Sequence, residues 1–141
     1  MRFYTSVILF SFLLFAAFSV NAEIAIIANA NDSVSALTQD QAKAIFLKKS
    51  LTLPNGQSVE AVDLPEESPL RNEFYEKVAG KTPSQLKAYW AKLVFTGKGT
   101  PNETMQSEAG VLGWVSGQTG RVGYVSADKV NSSVKVLLRV P

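Results

Sequence analysis

An α/β domain is the fold this sequence predicts, on three observations. Apolar runs of strand length stand near both ends of the chain beyond residue 22, and segments with helical spacing and strong N-terminal caps stand between them. The two kinds alternate, which is the pattern of helices packed on a sheet. The 119 residues from Glu23 onward suffice for one ordinary core, and no repeat or low-complexity tract divides them.

The first 22 residues read as a signal peptide rather than as part of that fold. Arg2 supplies a positive charge ahead of an apolar run from Val7 to Val20, broken only by Ser11 and Ser19. Val20-Asn21-Ala22 ends the run with residues a signal peptidase accepts, so cleavage is expected between Ala22 and Glu23. The competing reading is an uncleaved anchor, since a spanning helix needs roughly 20 apolar residues. No cysteine follows the run, which leaves no site for a lipid-modified N-terminus. The expected product is a periplasmic domain over residues 23–141 with no stable membrane anchor.

Glu23 to Ala28 carries Ile24, Ala25, Ile26, Ile27 and Ala28 without a break, as a strand covered on both faces does. Asn29 to Ser33 ends it. Thr38 and Gln41 form a capping box, with Leu37 and Ala42 able to close over it, and the helix that follows is expected to bury Ala42, Ile45 and Phe46. Lys48 and Lys49 suit the negative pole of its dipole. Pro54-Asn55-Gly56 turns the chain into a second strand, Ser58 to Asp63.

Ser68-Pro69 is the strongest helix start in the sequence, with Ser at the N-cap and Pro at the first helical position. Leu70, Phe74 and Val78 share one face, and Gly80 stops the helix. Thr82-Pro83 repeats the device, with Gln85 completing a second capping box. The buried stripe of that helix is expected to be Leu86, Tyr89, Trp90, Leu93 and Val94. Beyond Gly97 and Gly99, a helix near Ser107 to Ser116 buries Val111, Leu112 and Val115, against the helix cost of Gly110 and Gly113. Strands at Arg121 to Val125 and Val134 to Val140 close the domain.

Charge and composition remove several kinds of function. Lys and Arg number 14 against 12 Asp and Glu, and without Arg2 the net charge falls from +2 to +1, spread without blocks. Nucleic acid is therefore not an expected partner. The chain has no Cys and no His, so disulfides, thiol nucleophiles, imidazole bases and zinc sites with nitrogen or sulfur ligands are excluded. Gly80-Lys81-Thr82 and Gly97-Lys98-Gly99-Thr100 look like the ends of phosphate loops, but Tyr75 and Lys92 stand where such a loop needs its first glycine. Asp63, Glu66 and Glu67 could form a metal site or an acid pair; the simpler reading is solvated charge at a helix N-terminus. With no nucleophile–base pair in view, no enzyme, cofactor or metal is expected.

One place combines the groups that hold an oxyanion. At the start of the Ser68 helix, main-chain N–H groups such as that of Leu70, the Ser68 hydroxyl and the Arg71 guanidinium converge in sequence. The plainer alternative is that Ser68 only caps its helix while Arg71 pairs with Glu67 or another acid.

Leu37-Thr38 followed by Gln41 and Ala44-Ile45-Phe46-Leu47-Lys48, then Tyr89-Trp90 with Phe95-Thr96-Gly97, then Gly120 leading to Gly123-Tyr124-Val125, form an ordered set. In order and spacing the set resembles the phosphate-type periplasmic substrate-binding proteins of ABC transporters, across nearly all of Glu23 to Arg139. The resemblance implies a type II periplasmic binding protein fold, here a single lobe with a central mixed sheet flanked by helices. It implies a solute-binding protein for phosphate or a related oxyanion, with an ABC permease or a second copy of the chain as partner. Ser68-Pro69-Leu70 stands in the place of that family's Ser-Gly-Thr helix start, and Leu64 stands where the family has an arginine. The alternative function is a non-transport adaptor that keeps the fold as an interaction module.

Overall fold

Strand β1 (Ile24–Asn29) is buried along its whole length, as its unbroken apolar run requires, and the sheet is assembled around it. The computed structural model describes residues 23–141; the expected signal peptide and its cleavage position after Ala22 lie outside the described residues. Four further strands are β2 (Glu60–Asp63), β3 (Glu103–Thr104), β4 (Arg121–Ser126) and β5 (Val134–Val140), in the order β3-β2-β4-β1-β5. β1 runs antiparallel to β4 and β5, with Ile26 opposite Tyr124 and Leu138, whereas β2 runs parallel to both β4 and β3. The sheet is thus mixed. Between Ile26 and Ile27 the β1–β5 register slips, leaving Leu137 unopposed, and its carbonyl accepts the Leu37 N–H at 2.9 Å.

Three α-helices follow the caps read in the sequence, α1 (Gln39–Phe46), α2 (Pro69–Ala79) and α3 (Pro83–Phe95), and a fourth, α4 (Glu108–Ser116), is capped by Ser107. Thr38 with Gln41 and Thr82 with Gln85 form the two capping boxes. Gly80 ends α2 in the left-handed region at φ +63°, where a side chain would be strained. Among the described residues no helix is long and apolar enough to cross a membrane.

Neighbouring residues on β4 assign the helices to layers. The Tyr124 ring stacks on Phe74 of α2 at 3.9 Å and meets Phe46 of α1 edge-on at 5.7 Å. Its neighbour Gly123 faces α4 instead: a Cβ there would lie 2.6 Å from Val111 and 3.1 Å from Val62. Successive strand residues point to opposite faces, so α1 and α2 cover one side of the sheet and α4 the other.

Three expectations are corrected. The second strand begins at Glu60 rather than Ser58, because Thr52 and Ser58 form an isolated antiparallel bridge of their own. β3 is an additional strand, two residues held parallel to Val62 and Asp63. Val94 is 52 % exposed and Phe95 93 % exposed: α3 meets the fold chiefly through α2, so only Leu86 and Trp90 are buried on it.

Candidate functional site

The parallel strands direct their C-terminal ends, Asp63 of β2 and Thr104 of β3, toward the starts of α2 and α4. The two helix starts border a shallow cleft of about 590 Å³ lined by Leu64, Pro65, Ser68, Leu70 and Ser107, with Glu67 and Glu108 at its sides. Ser68 acts as the N-cap the sequence predicts: its Oγ accepts the Arg71 N–H at 3.3 Å and its carbonyl accepts the Asn72 N–H at 3.2 Å. Pro69 has no N–H to give. The Leu70 N–H is left as the first-turn donor without an acceptor among the described residues. On the opposite side Ser107 caps α4 by accepting the Gly110 N–H at 3.0 Å.

Beneath α2 lies a buried polar cluster centred on Asp63, which is 2 % exposed and so is no solvated helix-start charge. Tyr75 donates to its Oδ2 at 2.7 Å and Tyr124 to its Oδ1 at 2.9 Å, with Asn102 Nδ2 3.3 Å from Oδ2. The Leu64 N–H donates to the Tyr124 hydroxyl at 3.2 Å, fixing the direction in which that hydroxyl donates. Burial pushes the Asp63 carboxyl above its ordinary range, opposed by the Tyr75 hydrogen bond and the Arg71 charge. The same burial, with the Asp63 charge, holds both tyrosines well above their ordinary range, so they remain donors. Glu66 and Glu67, the other two acids of the sequence cluster, are exposed.

Arg71 departs from its two companions. Its Nε lies 4.0 Å from Asp63 Oδ1, its side chain is 11 % exposed, and its guanidinium sits 5.7 Å from the centre of the Tyr75 ring. It therefore pairs with the buried Asp63 rather than with Glu67. Ser68 and Leu70 line the cleft between α2 and α4, whereas Arg71 lines a second cavity of about 310 Å³ between α2 and α3, together with Glu66, Lys87, Trp90 and Asn102. Three of these residues also carry a fully buried atom without a hydrogen-bond partner: Arg71 Nε, Trp90 Nε1 and Asn102 Oδ1.

Tyr75, Tyr124, Asn102 and the polar edge of Trp90 carry no site signal in the sequence. Tyr75 lies in an ordinary helix, and Asn102 follows Pro101 in a loop. What makes them a cluster is contact across 12, 39 and 61 positions of the chain.

No protein-family model matches the chain, and no curated protein matches it. Its fold is similar to that of solved binding proteins. One, from Clostridium perfringens, is assigned as a phosphate ABC transporter substrate-binding protein with bound phosphate: TM-score 0.66, 22 % identity, over 82 % of this chain and 45 % of that one. An ABC-type phosphate transport receptor from Vibrio cholerae aligns at TM-score 0.64 and 20 % identity, covering 82 % and 46 %. PstS from Borrelia burgdorferi aligns at 0.62 and 11 %, covering 82 % and 47 %. The fold is that of a single lobe of a type II periplasmic binding protein, carried by a chain that spans less than half the length of those structures.

Proposed function

We propose that the chain is a periplasmic solute-binding module for phosphate or a related small oxyanion. The observation that carries this reading is the unspent Leu70 N–H beside the Ser68 hydroxyl, at a cleft between two helix starts, in a fold shared with proteins described as phosphate receptors. Helix N-termini favour anions through their free N–H groups and dipole. Ser68 and Leu70 supply neutral donors, and Arg71 supplies the charge by leaving Asp63, to which its Nε makes no hydrogen bond at 4.0 Å. The role is binding rather than catalysis. A permease of the ABC type or a second copy of the chain completes the half-length cleft, and export follows cleavage after Ala22.

Calorimetric titration with phosphate, sulfate and a neutral control tests the site. Arg71→Ala is expected to weaken phosphate binding more than about tenfold, because a charge-assisted hydrogen bond contributes roughly 1.5–3 kcal/mol. Arg71 is buried beside Asp63, so the variant also loses stability and is titrated well below its unfolding temperature. Ser68→Ala costs about 1 kcal/mol as a lost cap in addition to any ligand effect. Absence of heat from every oxyanion with the unaltered protein sinks the reading and leaves the adaptor function. Intact mass of protein exported by a bacterial host is expected to begin at Glu23; a species that keeps Arg2 overturns the export step.

A further inference from the structure

We propose that the outer face of α3 docks reversibly on an anionic lipid bilayer surface, whatever the Ser68 cleft holds. α3 buries Leu86 and Trp90, with Tyr89 and Leu93 partly buried beside them. The opposite face carries Ser84, Ala88, Ala91 and Phe95, which follow one another at helical spacing and are all exposed. Phe95 ends that line 93 % exposed, with Val94 beside it 52 % exposed. One apolar ring in water is ordinary. What sets this one apart is the charge around it.

Lys87 and Lys92 stand on either side of the Phe95 line, about 80° and about 60° away around a helix that turns ~100° per residue. Lys98 follows just past the helix end, where Gly97 at φ +69° turns the chain and the Lys98 N–H donates to the Leu93 carbonyl at 3.0 Å. Lys81 and Lys92 border a shallow hollow of about 410 Å³ with Gln85, Ala88 and Tyr89, and no acid lines it. Between Glu76 and Glu103 the chain carries five lysines and no acid, whereas the rest of residues 23–141 carries eight cations against twelve acids. Of the five, Lys77 is paired with Glu73 at 2.6 Å; the other four make no ion pair among the described residues. Glu66 shares the α2–α3 cavity with Lys87 without pairing with it.

Charge complementarity thus calls for an anionic partner, and the shape of the face selects a bilayer over a protein. α3 has 13 residues. A helix of that size is ~20 Å long and ~10 Å wide, so its outer face offers on the order of 200 Å², against about 800 Å² per partner in a stable protein interface. Protein interfaces also favour Arg and avoid Lys, and this segment has no Arg. A bilayer needs neither a large area nor a pocket: the ammonium groups lie against the headgroups while Phe95 and Val94 enter the boundary beneath, as in helices that lie in the membrane plane.

Flotation of the exported protein, its N-terminus checked by intact mass, with vesicles of equal parts phosphatidylglycerol and phosphatidylcholine tests the face. Saturable binding is expected, at least tenfold tighter than to phosphatidylcholine alone. Raising salt from about 0.1 to about 1 M shortens the Debye length from about 10 to about 3 Å and is expected to release most of the bound protein. The double variant Lys87→Ala, Lys92→Ala is expected to bind at least tenfold more weakly, since each lysine near an anionic surface counts for about fivefold. Phe95→Ser is expected to weaken binding at least fivefold. All three positions are exposed, so the unfolding midpoint is expected to stay in place. Emission of the Phe95→Trp variant is expected to shift to the blue on the anionic vesicles and to be quenched by brominated lipid. Inorganic phosphate and Ser68→Ala are expected to leave vesicle binding unchanged, which separates this face from the oxyanion cleft. Absence of binding, or equal binding to phosphatidylcholine alone, overturns the proposal. Binding that survives in the lysine and Phe95→Ser variants places the contact elsewhere on the chain and overturns it as well. Capture of polyglutamate through the same lysines, without vesicle binding, gives the face to an acidic protein instead.

Discussion

Two polar groupings meet at Arg71, and the chain treats them differently. Around Asp63 the fold supplies what the carboxylate needs: a tyrosine hydroxyl on each oxygen, an asparagine amide and a nearby guanidinium. Arg71 Nε, Trp90 Nε1 and Asn102 Oδ1, on residues that also line the α2–α3 cavity, are equally buried and have no hydrogen-bond partner. A polar group satisfied from within stabilises and specifies the fold, whereas a buried one left without a partner costs it stability. Asn102 spans both: its amide nitrogen serves the first grouping and its oxygen faces the lack of a donor in the second.

The largest expected effect breaks the satisfied side. Asp63→Ala strips acceptors from Tyr75 and Tyr124 and leaves Arg71 without its buried counter-charge, which typically costs about 3–5 kcal/mol. Denaturant midpoints at unchanged slope measure it. A loss under about 1 kcal/mol would mean that solvent replaces the carboxylate and that the two sides are alike.

A smaller effect sharpens the same contrast by pH. Burial raises the Asp63 carboxyl above its ordinary value of 3.8, outweighing the Tyr75 hydrogen bond and the Arg71 charge. The folded chain then holds that proton more firmly than the unfolded chain. The contribution of Asp63 to stability is accordingly highest below 3.8 and falls as pH rises from there through the raised folded value, with a slope of at most about 1.4 kcal/mol per pH unit. The stability of the unaltered protein minus that of Asp63→Asn, followed from pH 3 to 7, is expected to decline. A rising difference reverses the sign and makes the tyrosines and Arg71 the stronger influence.

What could be read in the sequence was local. The caps at Thr38, Ser68 and Thr82 act within three residues, so spacing alone reveals them. β1 was legible because a strand buried on both faces needs an unbroken apolar run. β3 was not, since Glu103 and Thr104 are exposed and polar and their strand exists only through pairing with Val62 and Asp63. The candidate site divides the same way. Ser68 and Leu70 stand where the cap places them, but the direction of Arg71 depends on Asp63, whose burial depends in turn on Tyr124, 61 positions away. Gly123 was legible only as part of a motif and not in its role; the close approach of Val111 at 2.6 Å to its missing Cβ is a property of how α4 packs on β4.

The smallest expected effect lies on the unsatisfied side, and it separates that side from the Asp63 cluster most cleanly. Trp90 is 5 % exposed and stacks edge-on against Tyr89 at 5.2 Å, so most of its contribution to stability comes from the ring. Trp90→Phe keeps a ring in the same stripe and removes the unpaired Nε1–H. Loss of contact area and a small void destabilise, by roughly 1–2 kcal/mol for a partial truncation of this kind. Removing a buried donor that has no partner relieves a penalty of about 1–3 kcal/mol. The two nearly cancel, and the unfolding midpoint is expected to stay within about 1 kcal/mol of the unaltered protein, against the several expected for Asp63→Ala. A loss above about 2 kcal/mol would show that the indole N–H has a partner in solution, and with it the contrast between the two groupings disappears.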